Sequence, residues 1–543
     1  MITSTTAAAP RLAVFHRGRA AVTADRDTIG VKAYNLMRLA GAGLSVPPGF
    51  VLGTGVCADL LRAGRPPADL DALLAEGVRA LEEHTGLRLG ARRRPLLVAV
   101  RSGAAASMPG MLETILDVGL NETTMSGLLR MTGNPRFVWD CHRRLVQGYA
   151  ETVHGCPQAA FDEALGRALA RSGAPDVRRL DVAALRALTR DFLDIFAAHA
   201  GTPFPDDPIE QLTGACLAVM RSWNADKAVR FRESSGLGHL GGTAVTVQAM
   251  VYGNMGVTSG SGVAFTRDPA TGEDRLYLDF LLDAQGEDVV AGRHAGDDIE
   301  LLGRRLPAVH AQLLQVRRQL ETLFRDVQDV EFTVQEGELF LLQTRDAKRT
   351  PWAALRIACD LVDEGLIDEA TALRRVDEID LGTVHRRRLA AGDAAPLATG
   401  TPAGPGAATG RVALDPDRAR AAAARGERVV LVRQDIATED VAALRSVVAV
   451  LTARGVRTAH AAVVARQLGL SCVVGCRGLR VEPERERCTI GGRVLGEGAV
   501  VTLDGTTGAV YEGEVTTVVE RPDDLLERID GWRRSARRAA TTA

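Results

Sequence analysis

The sequence predicts an α/β chain of several domains, on three observations. Its 543 residues exceed one domain at roughly 100–200 residues each. Apolar runs of strand length alternate with amphipathic stretches of helical spacing in two separate regions. Between those regions, near 390–405, the chain becomes dense in Ala, Gly, Pro and Thr, the composition of a linker or hinge. Hydrophobic residues make up 46% and charged residues 25%, enough apolar material for more than one core. Lys+Arg 66 against Asp+Glu 68 leaves a formal net charge of -2, so no global field attracts nucleic acid or an anionic membrane, and neither is expected as a partner. Phosphate recognition has to be local.

The elements follow in order. Residues 28–120 carry mixed signals: an amphipathic segment at Lys32–Ala40, a Pro-Pro-Gly turn at 47–49 and an apolar strand, LLVAVRS, at 96–102. Residues 121 to about 235 are rich in Ala, Leu and Arg at helical spacing and predict a helical section. Strand patterns return at 243–253, 261–269, 329–337 and 338–345, the last two joined by a Glu-Gly turn that predicts a hairpin. A helical stretch, TPWAALRIACDLVDEGLIDEATALRRV, leads into the linker. Beyond it, short strands at 429–433, 446–452, 472–475, 500–504 and 509–511, with one helix in HAAVVARQLGL, fit a compact domain of about 120 residues. This gives a first domain over 1–350, a helical linker and hinge over 351–395, a small domain over 396–515 and a charged, Ala-rich tail over 516–543.

Eight cysteines lie scattered without a C-x-x-C pair or a metal-ligand spacing, and read as reduced thiols. The start carries no signal-like apolar run, and no stretch of ~18 uncharged apolar residues follows, so a cytoplasmic location is expected. Only Lys32, Lys227 and Lys348 are lysines, which makes each of them worth a reason.

The sharpest chemical feature is LTARGVRTAHAAVVARQLGLSCVVG, which reads as strand, Gly-containing turn, histidine, helix and strand. Thr458 is a candidate N-cap. That puts His460 in the first helical turn, where free amides and the helix dipole favour an anion and a neutral imidazole. Alone, this describes a packed histidine as well as a nucleophile. The run Thr452-Ala453-Arg454-Gly455-Val456-Arg457-Thr458-Ala459-His460-Ala461-Ala462-Val463-Val464-Ala465-Arg466 closely resembles the phosphohistidine segment T-A-R-G-G-M-T-S-H-A-A-V-V-A-R of the pyruvate phosphate dikinase family. It departs from that pattern at Val456, Arg457 and Ala459; the lost serine hydroxyl removes a possible phosphate contact that Arg457 could replace. The likeness extends through TPAGPGAATGRV, VRQDIATEDV and EGAVVTLDGTTGAVYEG.

The N-terminal half carries the same resemblance. Gly30-Val31-Lys32-Ala33-Tyr34-Asn35-Leu36 is similar to the family's G-G-K-G-A-N-L, with Val31 and Ala33 in place of Gly, and VRSGAAASMPGMLETILDVGLN at 100–121 is similar to its V-R-S-G-A-x-x-S-M-P-G-M. Asp329 and Glu331 alternate on one strand and share a face, as do Gln343 and Arg345 on the next, an arrangement that is a cross-strand ion pair in its plainest form. The resemblance implies an ATP-grasp-like nucleotide-binding domain plus a small swivelling β/β/α phosphohistidine domain. It further implies that Lys32, Arg101, Gln343 and Arg345 bind ATP, that Asp329 and Glu331 hold Mg²⁺, and that Glu331 also serves the nucleotide. Glu287, in AQGEDVVAG, is a ribose or metal contact or simply a loop acid. His460 would be the covalent site, with Thr458 and Arg454 of its motif as catalytic neighbours. His142, in FVWDCHRRLVQGYAETVHG, reads as part of a packed helix face.

Family members continue into a large C-terminal barrel, and a (β/α)₈ barrel needs ~250 residues. Few residues follow 515, so the expected activity is that of a truncated dikinase. ATP and inorganic phosphate would form phospho-His460 with release of AMP and pyrophosphate, and the phosphoryl group would pass to an acceptor in trans, a small molecule or a separate protein. The alternatives are a stand-alone kinase of a small metabolite and a phosphorylatable carrier or regulatory protein with weak catalysis.

Overall fold

The computed structural model describes residues 10–20, 25–106, 108, 113–290, 299–390, 395–436, 438–457 and 460–542. The chain forms two compact units: Met1–Met255 with Phe340–Thr344, and Gly256–Leu339 with Arg345–Ala543.

The first unit begins with β1 (Leu12–His16), β2 (Arg19–Ala20), α1 (Arg26–Gly41), β3 (Gly49–Leu52), α2 (Thr54–Ala63), α3 (Leu70–Thr85), β4 (Arg88–Leu89), β5 (Pro95–Leu96), β6 (Val98–Gly103) and β7 (Thr114–Val118). The helical section follows as α4 (Glu122–Thr132), α5 (Pro135–His154), α6 (Gln158–Ser172), α7 (Val182–Ala200), α8 (Pro208–Arg221) and α9 (Asp226–Ser234), and the chain returns to the sheet as β8 (Ala244–Ala249). Helix starts are written in the sequence: Asn134 and Asp207 cap α5 and α8, each followed by Pro in the first turn. The sheet runs β2-β1-β3-β8-β6-β7, antiparallel throughout. Every residue of β8 is buried, so it reads as a continuous run rather than an alternation. On α5, His142 is buried beside Asp140, which takes ion pairs from Arg143 at 2.9 Å and Arg144 at 3.0 Å. That is the packed helix face the sequence predicts.

The second unit starts with β9 (Gly260–Phe265), β10 (Tyr277–Leu282), α10 (Gly286–Val290), α11 (Ile299–Arg305), α12 (Pro307–Phe324), β11 (Gln328–Gln335) and β12 (Glu338–Asp346), in a sheet of order β10-β9-β11-β12. The β11–β12 turn uses Glu336 (φ 49°) and Gly337 (φ 83°), two left-handed residues in succession as a type I′ hairpin requires. Next come α13 (Pro351–Asp363), α14 (Glu369–Val376) and β13 (Arg386–Leu389). Arg267, 1% exposed, ties the end of β9 to α12 and α13 through Glu321 at 2.9 Å and Glu364 at 2.6 Å.

The small domain contains β14 (Ala398–Thr399), β15 (Thr401–Gly404), β16 (Ala407–Ala413), α15 (Pro416–Ala424), β17 (Val429–Arg433), β18 (Ala449–Thr452), α16 (His460–Gln467), β19 (Ser471–Val474), β20 (Leu479–Glu482), β21 (Arg487–Ile490), β22 (Arg493–Gly496), β23 (Val500–Asp504) and β24 (Ala509–Glu512). Its main sheet has the order β14-β24-β23-β16-β17-β18-β19-β15, with β16 to β19 parallel. Alternation splits the core between two faces. Val429, Leu431 and Val450 pack with Ala419 of α15 and Ala462 and Ala465 of α16; Val430, Val432 and Leu451 pack with Cys488, Ile490 and Leu495 of the β20–β22 sheet. The result is a β/β/α sandwich. The residues after 515, a charged tail in the sequence reading, form β25 (Thr517–Glu520) and α17 (Asp523–Thr542). β25 pairs antiparallel with β13, and Leu526, Ile529 and Trp532 of α17 join the core of α13 and α14. Among the described residues no helix is long and apolar enough to cross a membrane.

Candidate functional site

In the first unit, the two motifs expected to bind nucleotide meet at one corner. Gly30 breaks α1 with φ 76° and ψ 154°, a conformation essentially confined to glycine. A Cβ on Gly30 would lie 2.1 Å from the carbonyl oxygen of Gly103, at the end of β6. The Val31 amide donates to the Ala104 carbonyl at 2.9 Å, and a Cβ on Gly103 would stand 3.8 Å from that of Lys32. The close approach therefore falls on the glycine this chain keeps. Val31 and Ala33, where the family has glycine, take half-buried and buried positions without positive φ. Arg101 donates from Nη1 to the Leu342 carbonyl at 3.0 Å, and Asn35 from Nδ2 to the Thr344 carbonyl at 2.8 Å. Lys32, Arg101 and half-buried Gln343 thus belong to one unit. Ser107 and residues 109–112 of the SGAAASMPGM segment lie outside the described residues.

In the second unit, Asp329 and Glu331 stand on β11 opposite Phe265 and Val263 of β9. Arg345 donates from Nε to Asp329 Oδ2 at 2.7 Å, so the ion pair that alternation allows is present. Burial pushes the Asp329 carboxyl above the ordinary carboxylate range, against the opposing pull of Arg345. Glu287 is exposed on α10. The described residues contain no cluster of three His, Cys, Asp or Glu side chains with metal-holding geometry.

The histidine loop joins β18 to α16. Its start is tied to β17 and the residue after it, the Ala453 amide donating to the Arg433 carbonyl at 3.1 Å and the Arg454 amide to the Gln434 carbonyl at 3.0 Å. Arg454 itself is exposed, Thr458 lies outside the described residues, and α16 begins at His460. Arg466, two turns along α16 and fully buried, donates from Nη1 to the carbonyls of Arg457 (2.7 Å) and Ala403 (2.8 Å). It reaches back toward the helix start, as long helical side chains do.

These flanks stand on the β9–β10 sheet. Arg457 Nε is 3.2 Å from Asp279 Oδ1, and its guanidinium lies 5.3 Å from the Tyr277 ring centroid. Arg466 lies 5.6 Å from the Phe265 ring and 5.9 Å from the Tyr277 ring. The Tyr277 hydroxyl is 3.5 Å from the Pro402 carbonyl. The charge of Arg466 is also felt at Asp329. Arg457, expected as a replacement phosphate contact, is engaged with an aspartate instead. Asp279, Tyr277 and Arg466 were not singled out from the sequence; the available signal was a lone acid within the apolar run YLDFLL.

Comparison with known proteins fits this division of labour. Residues 60–313 match the family "Pyruvate phosphate dikinase, AMP/ATP-binding domain", and residues 425–508 match "PEP-utilising enzyme, mobile domain". The chain is 41% identical over 525 residues to the pyruvate, phosphate dikinase of Clostridium symbiosum, a match covering 95% of this chain and 60% of that protein. It is 40% identical over 526 residues to the chloroplastic dikinase 1 of Oryza sativa subsp. japonica (96% and 55%), and 39% identical over 534 residues to the dikinase of Rhizobium meliloti strain 1021 (95% and 59%). The chain thus spans between half and two thirds of the length of these relatives. By these matches the chain is similar to pyruvate, phosphate dikinases over nearly its whole length, with one stretch matching their AMP/ATP-binding domain and another the mobile domain of PEP-utilising enzymes.

Proposed function

We propose that this chain is an ATP-dependent phosphotransferase that phosphorylates His460. The observation that carries the reading is the seating of the His460 loop: through Arg457 and Arg466 its flanks rest on the sheet that bears Asp329 and Glu331. Phosphoryl transfer is mostly positioning and charge neutralisation, with reacting atoms brought to ~3–3.5 Å. In this reading Lys32, Arg101, Gln343 and Arg345 bind and orient ATP. His460 attacks the β-phosphorus as a neutral imidazole, AMP leaves, and inorganic phosphate takes the outer phosphoryl group as pyrophosphate, leaving phospho-His460.

The residues present fit a divalent cation at Asp329 and Glu331. Mg²⁺ is usually held by one or two carboxylates plus substrate phosphates, which needs no three-acid cage, and a buried carboxylate already pushed up in pKa gains from a cation. Bound there, the ion would supply neutralisation of the phosphate charge. Arg345, which now sits on Asp329, would turn to the phosphates.

For the second half-reaction we propose an acceptor in trans, a small molecule or a separate protein. The acceptor must reach His460 in a second arrangement, because in this one the loop is seated on the nucleotide sheet.

Incubation with ATP labelled at the β position tests the first half. The chain should take up acid-labile label with matching AMP, and His460→Ala should take up none. Retained label would remove His460 from the reading. Arg345→Ala should lose most AMP formation; unchanged AMP in Lys32→Ala, Arg101→Ala, Glu331→Ala and Arg345→Ala would favour plain ion pairs. Adding pyruvate to the phosphorylated chain and assaying phosphoenolpyruvate tests the second half, where robust production without a second protein would overturn the acceptor in trans.

A further inference from the structure

Arg457 stands where the family segment quoted above has methionine, and its charge pairs with Asp279 of β10. We propose that Arg457 is a positioning residue for the phosphorylation of His460: its ion pair with Asp279, beside the Tyr277 ring, holds the loop three residues before His460 on the sheet that carries Asp329 and Glu331. This rests on the reading that His460 takes the phosphoryl group.

The geometry is that of a built contact. Asp279 is 2% exposed and Arg457 24%, so the pair is largely withdrawn from water, where a carboxylate requires compensation. The guanidinium combines a charge contact, Nε 3.2 Å from Asp279 Oδ1, with a position 5.3 Å from the Tyr277 ring centroid. Methionine could cover the ring but would contribute no charge to Asp279. The backbone at 457 is fixed independently, since its carbonyl accepts from Arg466. Removing the Arg457 side chain therefore takes away the loop's ion pair with β10 and leaves the contact of Arg466 with Tyr277 in place.

Arg457→Met should slow single-turnover labelling of His460 about 10–100-fold, as expected for a misplacement of the order of 1 Å, with half-saturation by ATP moved less than twofold. Asp279→Asn should do the same, and the double variant should be no slower than the slower single one. Exchanging the charges, Arg457→Asp with Asp279→Arg, should recover part of the loss. Additive losses, or a raised ATP half-saturation at an unchanged maximal rate, would overturn the proposal. Hydrogen–deuterium exchange without nucleotide supplies a readout that needs no chemistry: amides of 456–466 and 277–282 should lose protection in Arg457→Met. Unchanged protection would overturn the contact even if labelling slowed. A wild-type chain that takes no label, while its exchange responds to Arg457→Met, would instead overturn the phosphorylation of His460 and leave the contact standing.

Discussion

The Lys32 corner and the His460 loop are held in opposite ways. At the corner, backbone meets backbone: Gly30 against the Gly103 carbonyl, the Val31 amide on the Ala104 carbonyl. At the loop, guanidinium groups make the contact: Arg457 on Asp279 and Arg466 under Tyr277. Backbone packing has one arrangement and resists deformation. Side-chain ion pairs and cation–π contacts can be broken and remade without refolding either partner. On the proposed function, the first device suits a fixed ATP-binding corner and the second suits a carrier that serves two sites in turn.

Gly30→Ala should break the corner outright. An added Cβ meets a carbonyl at 2.1 Å in a backbone conformation nearly confined to glycine, so a loss of about 4 kcal/mol or more is expected, with ATP-dependent AMP formation lost. Thermal unfolding and the AMP assay check this together.

The first unit should also show a pH signature. Burial lowers the His142 pKa to about 4, well below its ordinary value near 6.5. Between those values the unfolded chain binds a proton that the native helix refuses. The stabilisation is fully present above pH 6.5 and is lost as pH falls to about 4, a change on the order of 3 kcal/mol. Amide protection of α5 measured across this window should fall in the wild type and stay flatter in His142→Leu.

Arg466→Met sharpens the contrast on the other side. It leaves the carbonyls of Ala403 and Arg457 without this donor but removes a buried charge whose Nε and Nη2 have no hydrogen-bond partner among the described residues, so a net loss of about 2 kcal/mol is expected in the small domain. Labelling of His460 should slow while ATP binding holds; equal damage to ATP binding would show that the two regions are one mechanical piece. The smallest effect is expected at β13–β25, where Arg386 pairs with Glu520 at 3.0 Å and lies 4.2 Å from the Trp352 ring centroid. Arg386→Ala should lower the melting free energy by about 1 kcal/mol or less, because the pair is only half-buried.

Legibility in the sequence follows the same contrast. Runs such as VVLVR at 429–433 and VVTLD at 500–504 are strands as read, since burial selects β-branched residues. The stretch near 390–405 reads as linker or hinge because it is dense in Ala, Gly, Pro and Thr. Its end nevertheless supplies β14 and β15, with Ala403 and Gly404 buried. Small residues pack a sheet closely without leaving a hydrophobic signature. The sequence expectation has no strand at β10, and so none at the seat of the loop. Asp279 and Arg457 lie far apart along the chain, and nothing local to either announces the other. Lys32 and Arg101 were findable through their motifs, whereas the Gly30–Gly103 contact that brings the motifs together required coordinates.

The pairing of β13 with β25 makes the small domain an insertion in a hairpin. Leu389 lies opposite Thr517, so the chain leaves and re-enters its helical base at neighbouring points. Replacing 390–516 by a two-residue Asn-Gly turn would preserve the ribbon register and let α17 close over α13 and α14. The base is in this sense a socket: any module whose two ends emerge side by side could be grafted there, and the histidine sandwich could in turn be lifted out and mounted on another hairpin.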